Sequence, residues 1–495
     1  MYAIVYMIRF NSLVFLFSIL FCAFLDAQEL PPIQNFTPVD YHAENQNWSI
    51  SQSQDKLIYV ANNKGLLEYN GTNWTLYPSP NETIMRSVSA IGDKIYTGSY
   101  MDFGYWKKND LGLLQYISLS KKLNIVLVED EEFWNILSVD NYVIFQSLDR
   151  IYIYDVRNDS ISMINSLDRI TNAYKVGESI FFQRINRGIF KIEDGRDVLF
   201  IEDEVVKKNE IITIFNGDGG LSMITRNNGI YHYKDDVVSE SKNPINNLLK
   251  NVSIYSAIQL RNNDLVLGTI ANGIIYLDHK SDSPKYEIDQ GKGILNNTVL
   301  SIFEDLDGNV WLGLDNGLSF INIDSPFFIY KDQKGILGSV YASSLVNDLV
   351  YFGTNQGLFY KPLDSNEEFK FIKGTEGQVW SLDLIDNQLF CGHHKGTFII
   401  DKDLATKVSS VEGTWGIKKL NNNSDLLIQG NYDGLYILEK IGNNWQLRNK
   451  LEGFTHSSRY FEVLDNSIFV SHEYKGVFKI KADSQFSKVN EIKLD

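Results

Sequence analysis

Apolar residues in this chain fall in runs of four to six, broken every few positions by Gly, Asn, Asp or Ser. Residues 299–322 show the grammar well. An apolar run begins at Val299, Asp307-Gly308 interrupts it, Val310, Trp311 and Leu312 continue it, Asn316-Gly317 interrupts it again, and Leu318 opens a third run. Asp-Gly and Asn-Gly suit two-residue hairpin loops, whose central residues take positive φ. The pattern therefore predicts short antiparallel strands joined by tight turns. Helical repeats would need 3.6-residue periodicity over 10–15 positions, and these runs are too short to carry it.

The grammar repeats. Anchored on the glycine of the second turn, the copies fall at Gly65, Gly104, Gly188, Gly229, Gly273, Gly317, Gly357, Gly396, Gly434 and Gly476. A further copy carries Arg150 in the glycine slot. Spacings run from 38 to 46 residues, with a mean of about 41, which fits the four-stranded blade of a β-propeller. A single blade cannot cover both of its own faces, whereas blades packed around an axis can. Pairs such as Leu66-Leu67, Ile274-Ile275 and Leu435-Tyr436 are the predicted core, and Trp74, Tyr77, Phe327, Phe328, Tyr330 and Trp445 are predicted fourth-strand aromatics. Eleven copies exceed one ordinary ring of four to eight. The predicted fold class is all-β: a tandem β-propeller of seven four-stranded blades over residues 45–324, followed by an incomplete second propeller of about four blades over 340–495. Residues 28–44 are a leader strand and 325–339 a connector.

The first 27 residues depart from the repeat. Arg9, the apolar run 10–25, then Asp26 and Ala27 have the form of a secretory signal peptide cleaved after Ala27. This predicts a periplasmic protein, and no later stretch reaches the ~18 apolar residues of a membrane span. Cys22 lies in the leader, so Cys391 is the one remaining thiol, expected to be buried and inert. Two cysteines supply neither a disulfide framework nor a cysteine zinc site. The net charge of −16 argues against nucleic-acid binding by this chain, which would need a basic face.

No nucleophile elbow, His-Glu-x-x-His or phosphate loop occurs, so the chain is expected not to be an enzyme and to need no cofactor. Cys391-Gly392-His393-His394 is read as a strand end rather than a metal site, because alternate residues point to opposite faces. Glu304 to Asn309 lacks the glycine and glutamate of a calcium loop and is read as a hairpin turn. A different series stands out 14 to 19 residues before each anchor, where the innermost strand begins: Trp48, Trp134, Tyr174, Tyr255, Tyr341, Trp380, Trp415 and Tyr460. Arg86, Thr213 and Leu300 fall near that slot in three copies. Aromatics and Arg86 around a funnel would stack an oligosaccharide or small amphipathic ligand. The competing reading makes them spacers between blades.

The stretch 302–318, with Asp307-Gly308-Asn309-Val310-Trp311-Leu312-Gly313 and Asn316-Gly317-Leu318, resembles the two-component regulator propeller repeat. Asn35 to Tyr41, Asn47-Trp48-Ser49-Ile50 and Asn62-Asn63-Lys64-Gly65 resemble the start of one subgroup. The resemblance implies the periplasmic sensor region of Bacteroidetes regulators. In that family a tandem propeller precedes a triple-tyrosine sandwich, a membrane helix and a LuxR-type DNA-binding or histidine-kinase module. None of those later parts is found here, so the chain is read as a truncated member, a ligand-sensing region without an effector. The alternatives are a stand-alone propeller binding an envelope protein or its own copy, and a propeller hydrolase or lyase acting on glycans.

Overall fold

The computed structural model describes residues 29–494 apart from 218, 280, 282, 331–334, 364, 366 and 421–424. The signal-peptide reading and Cys22 lie outside the described residues, as do residues 331–334 of the expected connector. The described residues form eleven four-stranded antiparallel sheets, so the chain is an all-β propeller protein. Helices are confined to short pieces such as Glu204–Lys208, and none is long and apolar enough to cross a membrane among the described residues. The chain divides into two compact units, residues 29–329 and 330–495.

Seven sheets make the first unit. Their innermost strands are Asn47–Gln52, Met85–Ile91, Asn135–Val139, Ile170–Val176, Ile211–Gly217, Ile254–Gln259 and Val299–Glu304. Each packs against the next, and the seventh packs against the first, so the sheets close a ring. Side chains on these strands tie neighbouring sheets together through backbone carbonyls. Ser49 donates to Val88, Ser87 to Phe133 at 2.8 Å, Asn135 to Ala173, Asn172 to Ile212, Ser256 to Val299, and Ser301 back to Asn47. Between sheets the space is filled by the expected apolar pairs: Leu66, Leu67, Ile274 and Leu318 have no exposed surface.

The seventh sheet draws its outer strand from the other end of the unit. Ile33–Phe36 pairs antiparallel with Leu318–Ile321, Ile33 opposite Ile321 and Phe36 opposite Leu318. The fourth strand expected at Phe327 to Tyr330 does not form, because its place is already taken. Phe327 and Phe328 are exposed instead, and only Ile329 makes a bridge, to Leu30.

The anchor glycines have a second cause beyond turn geometry. A Cβ at Gly65 would lie 2.2 Å from the Tyr77 carbonyl oxygen, and one at Gly104 would lie 2.1 Å from that of Ile117. The outer strand crosses too closely for any side chain. Gly104 does this without positive φ, so at that anchor space alone selects glycine.

The second unit holds four sheets in a row, with innermost strands Val340–Val346, Val379–Ile385, Gly416–Lys419 and Tyr460–Leu464, each packed on the next. Ser343 and Leu345 on the first sheet, and Val477 and Lys479 on the last, are exposed.

Candidate functional site

Five of the residues singled out by the repeat share one backbone device. In seven sheets the pairing of the innermost strand skips one residue at its start, and in five of them that residue is Trp48, Arg86, Tyr255, Tyr341 or Trp380. A skipped residue is a β-bulge, which leaves its side chain out of the alternation and re-aims it beyond the end of the strand. At these five positions the bulge takes the side chain out of the space between sheets.

In the first unit side chains from the starts of the innermost strands meet. Trp48 on the first sheet and Trp134 beside the third have ring centroids 6.0 Å apart, edge to face. Those sheets are not neighbours, so the contact is made over the second sheet, on the axial side. Arg86 of the second sheet fills the gap, its guanidinium carbon 4.2 Å from the Trp48 ring centre and 4.6 Å from that of Trp134. Each such cation–π contact contributes on the order of 0.5–2 kcal/mol. The Arg86 side chain is only 13% exposed and pairs with Glu132 at 3.2 Å. The Trp48 indole N–H donates to Asn63 Oδ1 at 2.7 Å, Asn63 donates to Gln46, and Gln46 donates to Asp315. On the sixth sheet, Tyr255 lies under the guanidinium of Arg226, which is held by Glu210. Burial raises the Tyr255 phenol above its usual range, while the positive charges of Arg226 and Arg86 oppose that rise.

Tyr174 stands elsewhere. The bulge in its strand falls between Ile170 and Ala173, so Tyr174 returns to the regular alternation and points between sheets. It is buried, with its hydroxyl donating to the Ile211 carbonyl at 2.6 Å. There it is a spacer. On the fifth sheet the skipped position is Ile212, not Thr213. On the seventh it is Leu300; both Ile212 and Leu300 are buried.

The second unit assembles a longer aromatic stack. Ring centroids of Tyr341 and Trp380 lie 5.2 Å apart, and those of Trp380 and Trp415 4.8 Å. The Arg459 guanidinium then covers Trp415 at 4.8 Å and Tyr460 at 5.2 Å. Tyr341 and Tyr460 end the series, 49% and 58% exposed. Tyr432 packs edge-on to Trp415, accepts the Trp380 indole N–H at 3.0 Å and shares a 3.1 Å hydrogen bond with His394 Nδ1.

Glu132, Glu210, Arg226 and Tyr432 were missed from the sequence. For Tyr432 the signal was present. Asn63, Asp315, His394 and Tyr432 all stand two positions before an anchor glycine. Strands one and two are antiparallel, so the turn after strand two lies beside the start of strand one, at the same mouth.

Other expected features are structural. His393 is fully buried between the Thr375 carbonyl, 3.1 Å from Nε2, and the Lys395 N–H at Nδ1, leaving it no lone pair for a metal. Cys391 is buried, and burial pushes its thiol far up. The Asp305 carboxylate accepts from the N–H groups of Asp307 and Asn309, from Asn309 Nδ2 and from Trp311 Nε1, which makes it the organiser of its turn.

Among solved structures, the chain is similar to the extracellular domain of the putative hybrid two-component system BT3049 from B. thetaiotaomicron. Identity is 16%, the TM-score is 0.64, and the match covers 94% of this chain and 67% of that one. The extracellular domain of the putative one-component system BT4673 from B. thetaiotaomicron also matches at 16% identity, with a TM-score of 0.46 over 94% of this chain and 67% of that one. A streptogramin B lyase matches at 14% identity and a TM-score of 0.46, over 59% of this chain and 98% of that one. No family model and no curated protein matches the chain. The likeness to the BT3049 domain shows the fold.

Proposed function

We propose that this chain is the ligand-sensing region of an exported signal-transduction protein, and that it holds a glycan or similar small amphipathic molecule on the aromatic stack of the second unit. One observation carries the reading: Tyr341, Trp380, Trp415 and Tyr460, read from the sequence as one slot per repeat, stand in a continuous series with Arg459 between the last two. Sugar rings offer an apolar face and a rim of hydroxyls. Aromatic faces match the first, and Tyr432, His394 and Arg459 match the second. The neighbour from BT3049 is an extracellular domain of a putative two-component system, which supports a sensing role outside the cytoplasm. Sensing further requires that the ligand bind two states with different affinity.

The test is calorimetric titration of the purified protein with a panel of oligosaccharides. At least one should bind saturably, and Trp380→Ala and Trp415→Ala should each weaken it by roughly five- to 150-fold, the loss of roughly 1–3 kcal/mol of stacking. If both variants bind every hit as the wild type does, the stack is not the site. Release of cleaved product during the titration would instead identify a hydrolase or lyase.

A further inference from the structure

The mouth of the seven-sheet ring contains two guanidinium groups in unequal states. Arg226 is closed: its Nε and Nη2 meet the two carboxylate oxygens of Glu210 at 2.7 and 2.6 Å. Arg86 is open. Its Nε and Nη2 both reach a single oxygen of Glu132, at 3.3 and 3.2 Å, beyond the ~2.7–2.9 Å of a good charge-assisted bond. Its Nη1 is buried with no hydrogen-bond partner among the described residues. The same is true of Nε1 of Trp134, whose ring centre lies 4.6 Å from the guanidinium carbon. Both atoms can only donate. At the same mouth Asn63 Oδ1 accepts from Trp48 and Asp315 Oδ1 from Gln46, while Glu132 meets the guanidinium through Oε1 alone and makes no hydrogen bond to Nη1 or to the Trp134 indole. A buried donor left unmade costs on the order of 1–3 kcal/mol, so two of them side by side call for an acceptor from outside the chain.

We propose that the mouth of the first ring is a binding site for an oxyanion on a small soluble ligand, a carboxylate or a sulfate ester, received by Arg86 Nη1 and Trp134 Nε1. Trp48 and Trp134 meet edge to face and form a corner that holds the guanidinium, so its fork is oriented before the ligand arrives. Glu132 holds the opposite edge by one oxygen and leaves Nη1 to the ligand. This site is separate from the aromatic stack of the second unit.

The experiment titrates the whole protein, at constant ionic strength, with D-glucuronate, D-glucose 6-sulfate and neutral D-glucose. At least one of the two anions should bind saturably and at least about tenfold more tightly than glucose, the worth of one charged hydrogen bond. The anion that binds more tightly tells carboxylate from sulfate ester. Arg86→Gln should abolish the preference, and Trp134→Phe, which keeps a ring but removes the N–H, should weaken the anion several-fold. Trp415→Ala should leave anion binding unchanged even where it removes oligosaccharide binding, so the two sites fail separately. The proposal is overturned if neither anion is preferred over glucose by the wild type, or if the anion binds Trp134→Phe as it binds the wild type. That second arm holds whether or not Arg86→Gln folds.

Discussion

His393 shows how a single buried side chain sets a pH limit. With Nδ1 accepting from Lys395 N–H and Nε2 against the Thr375 carbonyl, the folded protein needs the neutral ring. Burial, the largest cause, lowers its pKa below the ordinary 6.5. The unfolded chain therefore binds more protons between the folded value and 6.5, and stability is lost as pH falls through that window. The melting temperature of the wild type should drop on acidification from pH 7.5 to pH 5, and His393→Gln should show a flatter profile. Parallel profiles would mean that His393 does not titrate in this way. The residue scale is also where the sequence was partly misleading. Trp48, Arg86, Tyr255, Tyr341 and Trp380 lie 16 to 18 residues before their anchor glycines, and each sits on the bulge. Tyr174 was misplaced because the bulge in that strand lies two to three residues earlier. A bulge leaves no mark in composition, so only the paired strands reveal it.

At the scale of elements, the repeat was legible because most sheets carry a glycine at the start of the third strand, and at Gly65, Gly104, Gly188, Gly273 and Gly396 a Cβ would lie 2.0–2.2 Å from a carbonyl oxygen of the outer strand. The strand Ile33–Phe36 was not legible as part of the ring, because it contains no such glycine and lies outside the period. Its role can be measured through Phe36, which is buried, stacks on Trp311 at 5.8 Å and meets Trp74 edge-on at 5.3 Å. Removing a core Phe costs about 3–5 kcal/mol. Phe36→Ala should therefore lower the unfolding free energy by about that amount in a denaturant titration, with an unchanged slope if the cost is purely one of stability. A loss under about 1 kcal/mol would show that this strand does not hold the ring closed. Tight sheet junctions were equally hidden. A Cβ at Gly313 would come 2.4 Å from the Asn47 carbonyl oxygen, where the ring closes, yet Gly313 looks in sequence like any small strand residue.

Across the whole molecule, an acidic chain of −16 sets three guanidinium groups against aromatic rings at the starts of its innermost strands. Arg86 and Arg226 in one unit and Arg459 in the other stand where the fold brings strand starts together, against the sign of the net charge. That distribution suits recognition of a small ligand better than broad electrostatic adhesion. The claim at the centre of this account is that the aromatic series of the second unit forms the ligand site. Its most direct test is a crystal structure of the protein with its best-binding oligosaccharide. The account predicts a sugar ring seated on Trp380 or Trp415, within hydrogen-bonding distance of Tyr432, His394 or Arg459. A sugar bound only on the outer strands of the sheets, with that aromatic series untouched, would contradict it.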